Sequence, residues 1–236
     1  MEQQPDHPVA LVTGAGSGVG ASCALGLAEA GYRVCVVGRN SERLARTLSS
    51  MHADCHSISA DLSAPHQCQR VVDELIAHFG RVDVLVNNAG FAAQVPIEET
   101  TEELMRTALD TNLLGPMCLI SSLWSHFLEL GGGCVVNISS LASSDPFPGF
   151  LAYAASKSGL DSLTRSILAE RPDPSIRAFT INLAAVETPM LRSMFDHEVV
   201  PPEACLQPEE VARFVVECVQ GAHDHRQGES IVLARS

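Results

Sequence analysis

The chain has 236 residues, 46% apolar and 18% charged, which excludes a disordered chain and supplies enough apolar surface for one α/β domain. Its 15 basic and 28 acidic residues give a net charge of −13, and with no basic run longer than two residues this argues against a nucleic-acid partner. Fourteen of the basic residues are Arg and one, Lys157, is Lys; there are two Tyr, Tyr32 and Tyr153, so an amine has one source and a phenol two.

Met1 to Pro8 is polar, with neither a charged n-region nor an apolar h-region, so no signal peptide is read there. Apolar runs follow at Val9–Thr13, Arg33–Val37, Ser57–Asp61, Val82–Asn87, Cys134–Ser139, Ile176–Leu183 and Ser230–Ala234. They are short, rich in Val and Ile and mostly not alternating, as strands buried on both faces are. Amphipathic stretches between them predict helices over Gly18–Ala30, Ser41–Met51, Pro65–Phe79, Thr101–Leu130, Tyr153–Glu170 and Pro208–Gln220. Ser63 before Pro65 reads as a cap and first turn, and Thr101 as the start of an apolar stripe with Leu104 and Ala108. This alternation predicts a single-domain α/β fold of the Rossmann type: a doubly wound parallel sheet of about seven strands with helices on both faces.

Thr111 to Leu128 carries no charge but contains Asn112, Gly115, Pro116 and several Ser, which suits a core or interface helix better than a membrane span. Pro189 to Gln207, with Pro201-Pro202, reads as a long irregular insertion placed to act as a lid. The eight Cys are scattered without a C-x-x-C pair, as reduced core thiols of a cytoplasmic protein. His52, Asp54, Cys55, His56, His66 and Cys68 match no structural zinc spacing, and His223 and His225 read as solvent-exposed, so no metal is expected.

The first strand runs into Thr13-Gly14-Ala15-Gly16-Ser17-Gly18-Val19-Gly20. Glycines there permit a tight turn and close approach of a pyrophosphate, while the helix starting near Gly18 offers its N–H groups and positive dipole end. Strand, glycine turn and helix in that order at the start of a βαβ unit predict dinucleotide binding. A chain preferring NAD(H) puts an acid after the second strand; this one has Gly38 and Arg39, and Arg39 can pair with a 2′-phosphate, so NADP(H) is expected.

At these residues the sequence resembles the short-chain dehydrogenase/reductase family, over nearly its whole length. Thr13 to Gly20 fits T-G-x-x-x-G-x-G, making Gly14, Ser17, Gly18, Val19 and Gly20 cofactor-binding by resemblance. Asp61, beside Leu62, matches the adenine contact, and Asn88, Ala89 and Gly90 fall in the N-N-A-G segment. Val186 and Thr188 match the V-x-T that holds the nicotinamide carboxamide. Asn112, Ser140, Tyr153 and Lys157 match the catalytic set, the last two as Y-x-x-x-K, and both also belong to the cofactor site. Ser140 is preferred to Ser139 because the family places this Ser thirteen residues before the Tyr.

Physical reading of these residues agrees. Tyr153 and Lys157 share a helix face. A free phenol titrates near ~10, and an adjacent ammonium together with an oxidised nicotinamide stabilises the phenolate. The Ser140 hydroxyl, at a strand's C-terminal edge, can donate to an oxygen as it gains charge. Asn112 is unfavourable in a helix, which points to a task such as holding a water behind Lys157, or to a kink.

The resemblance implies an NADPH-dependent carbonyl reductase, with 3-oxoacyl thioesters as first substrate class. Alternatives are an alcohol, sugar or polyol dehydrogenase and, from another class, a non-catalytic NADP-binding regulator. The sequence departs from the family where Leu183-Ala184 replaces Pro-Gly, which places a different residue at the pocket floor. Specificity is expected from Phe91–Pro96, Leu141–Leu151 and Pro189–Leu206, the last with Met190, Leu191, Met194 and Phe195. Thr111–Leu128 and Tyr153–Ala169 resemble the family's dimer helices, so a homodimer or homotetramer is expected.

Overall fold

The structure is a computed structural model that describes residues 7–52 and 54–235. The reading of no signal peptide falls largely on residues 1–6, outside the described residues. Seven strands form one parallel sheet: β1 (Val9–Thr13), β2 (Arg33–Gly38), β3 (Cys55–Ser59), β4 (Val84–Asn87), β5 (Gly133–Ser140), β6 (Ile176–Leu183) and β7 (Ser230–Leu233). Their order is β3-β2-β1-β4-β5-β6-β7, so the winding reverses between β1 and β4. That reversal leaves a crevice at the C-terminal ends of the strands, where open α/β sheets bind ligands.

The helices are α1 (Gly18–Glu29), α2 (Ser41–Ser49), α3 (Pro65–Phe79), α4 (Glu102–Leu109), α5 (Gly115–Leu130), α6 (Leu151–Glu170), α7 (Pro189–Arg192) and α8 (Pro208–Val219). Successive strand residues feed two cores. Ala10, Val12, Val34 and Val36 pack with α1 and α8 residues such as Leu27 and Val215. Val9, Leu11, Cys35 and Val37 pack on the opposite face with Leu75 of α3 and Leu123 of α5. Both faces being buried is why the strands read as continuous apolar runs.

Three expectations are corrected. The strand predicted over Ser57–Asp61 is shifted to Cys55–Ser59, because Asp61 Oδ1 accepts from the Ser63 amide (3.1 Å) and hydroxyl (2.8 Å) and turns the chain. Ser63 is thereby occupied, so Ala64 is the N-cap of α3, with Pro65 in its first turn. The single helix predicted over Thr101–Leu130 is divided by a π-turn, Asp110–Leu114, between α4 and α5. Pro116 is the physical reason: it has no N–H for the carbonyl of Asn112 and its ring crowds that carbonyl, which one wider turn accommodates.

The stretch from residue 189 to 207 is more ordered than an irregular insertion. Arg192 organises it: its guanidinium donates to both carboxylate oxygens of Glu187 and to the carbonyls of Asp196 (3.0 Å) and Val200 (2.8 Å). A parallel bridge joins Val186 to Leu206, with Leu206 N donating to Ala185 O at 2.9 Å. By length and composition Glu102–Leu130 would pass as a membrane span, yet α5 packs on α3 in the second core. Leu109 and Met117 of this stretch remain 41% and 45% exposed.

Candidate active site

At the switch point the glycine turn and the end of β4 lock together. Thr13 Oγ1 accepts from the amides of Asn88 (2.9 Å) and Ala89 (3.0 Å). Asn88 Nδ2 returns to the carbonyls of Thr13 (2.9 Å) and Gly14 (3.3 Å). The Asn88 side chain is thus spent on shaping the turn. Gly14 and Gly18 have φ of 64° and 54°, a region that strains other residues. A Cβ on Gly20 would lie 2.3 Å from Asn88 Nδ2 and 2.5 Å from Gly14 O. Ser17 caps α1 with no side-chain hydrogen bond, so the first-turn N–H groups keep their capacity for an anion.

These features fit a dinucleotide: a cradle that requires glycine at positions 14, 18 and 20, opening on a helix N-terminus. Thr188 closes its far side, with its methyl 3.0 Å from where a Gly18 Cβ would sit. Thr188 Oγ1 also caps α7 by accepting from Leu191 N at 3.2 Å, and Val186, just before it, is buried. Arg39 is exposed at the end of β2 and lines an open cleft with Asp61, Ser63 and Thr111. Burial pulls the Asp61 carboxyl upward, but hydrogen bonds from Ser63 and the charge of Arg39 outweigh it and hold the group below the usual carboxylate range. Leu62 points into the core beside α3.

The other side of the crevice is built from β5 and α6. Ser139 and Ser140 end β5 and part company there. The Ser139 hydroxyl donates to Asp161 of α6, whereas Ser140 Oγ accepts from Ala142 N at 3.2 Å and hydrogen-bonds the Tyr153 side chain. Lys157, one turn after Tyr153, is 4% exposed and donates from Nζ to the Ile138 carbonyl at 2.7 Å, with Nζ 5.8 Å from the Tyr153 ring centroid. Burial pushes Lys157 down to about 8, against the opposing charge of Asp161. Burial also pushes Tyr153 above its ordinary value, and the Ser140 hydrogen bond only partly offsets this. The expected lowering of the phenol by the ammonium is not what the structure gives: desolvation dominates, and the opposing contribution comes from Ser140.

Asn112 sits in the π-turn, fully buried, with its side chain committed elsewhere. Oδ1 accepts from Phe91 N (2.7 Å), while Nδ2 donates to Phe91 O (2.9 Å) and Ser156 Oγ (2.9 Å). Gly90 leaves room between them: a Cβ there would lie 3.4 Å from Asn112 Oδ1 and 3.8 Å from Lys157 Nζ. Three loops meet over this group. Val95 N donates to Gly149 O at 2.8 Å, and Phe150 packs edge-on to Tyr153 and stacks on Phe195 with centroids 6.2 Å apart. The segments expected to set specificity thus touch one another.

Residues 8–199 match the short chain dehydrogenase family model. The chain belongs to the short-chain dehydrogenase family. It is accordingly an oxidoreductase acting on C=O and CH–OH groups. A Streptomyces violaceoruber protein named as a ketoacyl reductase of the granaticin polyketide synthase is 34% identical over 230 residues, covering 93% of this chain and 92% of the relative. The actinorhodin polyketide ketoreductase with NADPH superposes with a TM-score of 0.91 at 28% identity, covering 98% of this chain and 97% of the other. The 3-ketoacyl-(acyl-carrier-protein) reductase of Brucella melitensis complexed with NADH gives a TM-score of 0.90 at 27% identity, with 96% of each chain covered.

Against this short-chain dehydrogenase background, the Leu183-Ala184 departure has a local reading. Leu183 continues β6 between Ser140 of β5 and Leu233 of β7, which a Pro without its N–H would not do. Its side chain is buried in the first core with Ile138 and Val186. Sequence reasoning missed two contributors. Pro116 gave a signal, lying four residues after Asn112. Asp161 gave none, because its partners come from β5, β6 and the turn after β5.

Proposed function

We propose that the enzyme is an NADPH-dependent carbonyl reductase with 3-oxoacyl thioesters as its first substrate class. The observation that carries this reading is the convergence of Ser140, Tyr153 and Lys157 at the end of β5, across the crevice from the glycine cradle. Gly14, Ser17, Gly18, Val19 and Gly20 would hold the pyrophosphate, Asp61 and Leu62 the adenine, and Arg39 the 2′-phosphate. Asn88, Ala89, Gly90, Val186 and Thr188 would frame the nicotinamide end. Bound there, the reduced nicotinamide supplies hydride to the carbonyl carbon.

The chain's own residues handle the oxygen and the proton. Tyr153, held above its ordinary pKa by burial, is in the acid form at neutral pH and donates its phenolic proton to the substrate oxygen. Ser140 orients that oxygen from the strand end. Lys157 places a positive charge beside the phenolate left behind and hydrogen-bonds the ribose. Asn112 contributes through its main chain: Pro116 leaves the Asn112 carbonyl without its i+4 donor, an acceptor suited to a water that returns the proton by way of Lys157.

Residues 189–207 act as an ordered lid, with Met190, Leu191, Met194 and Phe195 toward an apolar substrate. The exposed Leu109 and Met117 support a homodimer or homotetramer through α4 to α6, and the free thiols support a cytoplasmic location. The deciding experiment is a parallel NADH/NADPH assay against 3-oxoacyl thioesters, diketones and aldehydes, with alcohols, sugars and polyols assayed in the oxidative direction. Turnover confined to polyols would replace the reductase reading with the dehydrogenase one, and no turnover on any panel member would leave the regulator.

A further inference from the structure

Asp161 lies one helical turn beyond Lys157 on the same face of α6 and is only 7% exposed. Its carboxylate accepts from Ser139 Oγ, from Ser143 Oγ at 2.6 Å and from Asn182 Nδ2 at 2.9 Å. All three donors are neutral. A buried carboxylate with neutral partners is costly unless a cation stands close, and a buried ammonium has the same need. Lys157 is that ammonium, and its Nζ donates to a neutral carbonyl, that of Ile138. No direct ion pair joins the two among the described residues, so Asp161 acts on Lys157 as a nearby buried charge one helical turn away.

The same carboxylate gathers the segment that carries Ser140. Ser139 precedes Ser140 and Ser143 follows it by one turn, so Asp161 holds both flanks. Asn182 completes the ring by donating to the Ser140 carbonyl (3.1 Å) and to Ser143 Oγ (2.7 Å). The chain thus ties β5, β6 and α6 together directly behind the Ser140 hydroxyl.

We propose that Asp161 is a positioning residue for the Ser140, Tyr153 and Lys157 set: it supplies the buried counter-charge to the Lys157 ammonium and, through Ser139 and Ser143, anchors the segment that aims Ser140. This rests on the functional reading above for what the set does, but not for the charge pairing. Its negative charge works against the desolvation of Lys157. Of the other groups around Lys157, Tyr153 shares its helix. The strands and turns packed on it bring Ser139, Ser140, Asn182 and Asn112, none of which titrates near neutral pH. The π-turn also carries Asp110, and α4 carries Glu102, Glu103 and Arg106, all lining the open cleft with Arg39.

Because Lys157 is the sole Lys, protein labelled with [13Cε]lysine gives one resonance, and its titration reads this site directly. Wild type, Asp161→Asn and Ser143→Ala are compared by that titration and by the kcat of NADPH-dependent reduction. Asp161→Asn keeps the shape and removes the charge, so the Lys157 midpoint falls by about one pH unit and kcat at pH 8 falls at least about tenfold. Ser143→Ala keeps every charge, so the midpoint stays within about 0.2 unit of wild type while kcat falls by about three- to tenfold. Coinciding midpoints in wild type and Asp161→Asn overturn the counter-charge. A wild-type kcat in Ser143→Ala overturns the anchoring, and decides it even if Asp161→Asn does not fold. A wild type that reduces no carbonyl sinks the functional reading alone, since the resonance still reports the pairing.

Discussion

The two walls of the crevice are built by opposite means. The β1–α1–β4 wall works with backbone: glycines at positive φ, first-turn N–H groups and an Asn88 side chain spent on bracing the turn. The β5–α6 wall works with side chains held on rigid elements and braced by a buried polar ring around Asp161. The first wall is therefore sensitive to added volume and indifferent to most chemistry. The second is sensitive to a single proton or charge. Binding and turnover should separate accordingly when either wall is altered.

The largest effect is expected from Tyr153→Phe, which removes the proposed proton donor and little else. It should lower kcat by about 10³-fold, within the range for a general acid, while NADPH affinity by fluorescence titration stays within a factor of about three. Unchanged turnover would end the proposed mechanism. Lys157→Arg should follow, losing about 100-fold although charge is kept, because a planar guanidinium does not fit where a compact ammonium meets the Ile138 carbonyl. Near wild-type kcat in that variant would reduce Lys157 to a coincidence of composition.

On the opposite wall, Gly20→Ala brings a methyl against Asn88 and the Gly14 carbonyl, and backbone must move. It should cost about 1–3 kcal/mol of stability in urea unfolding and weaken NADPH by about tenfold or more. Arg39→Ala should weaken NADPH by about 10- to 100-fold and leave NADH within a factor of about three, since the Arg39 side chain is exposed and touches its surroundings only through its charge on Asp61. Equal losses for both cofactors would refute the 2′-phosphate contact.

A pH titration tests the charge on the second wall. Lys157 titrates at about 8 when folded and near 10.5 when unfolded, so the unfolded chain binds more protons between those values. Its contribution to stability is therefore unfavourable below pH 8 and recovers as pH rises from 8 to 10.5, by up to ~3 kcal/mol. Several buried thiols oppose this, Cys23 being pushed up to about 12 by burial. The difference between wild type and Lys157→Met cancels them, and should climb across that window in urea titrations.

Much of the first wall was readable in one dimension. A strand, a glycine turn and a helix are contiguous, so Gly14, Gly18 and Gly20 reveal their task within eight residues. The sheet was readable for a similar reason: doubly buried strands leave short Val- and Ile-rich runs. The second wall was legible only where a helix brings neighbours to one face, as for Tyr153 and Lys157. What stayed hidden depends on convergence in space. Asp161 meets Ser139, Ser143 and Asn182 only after three elements pack, and Arg192 orders residues 189–207 through carbonyls that no pattern marks. The break in the long helix lay between, since Pro116 announced it but the register of the wider turn did not follow from composition.

Lys157 has a consequence outside catalysis. With the single ε-amine 4% exposed, the folded surface offers no described lysine to acylating reagents, amine-directed crosslinkers or lysine-modifying enzymes. Reagents that acylate amines should spare Lys157 in the native enzyme and should capture it only when α6 separates from β5. The yield of acylated Lys157 would then serve as a clock for local opening of the catalytic wall.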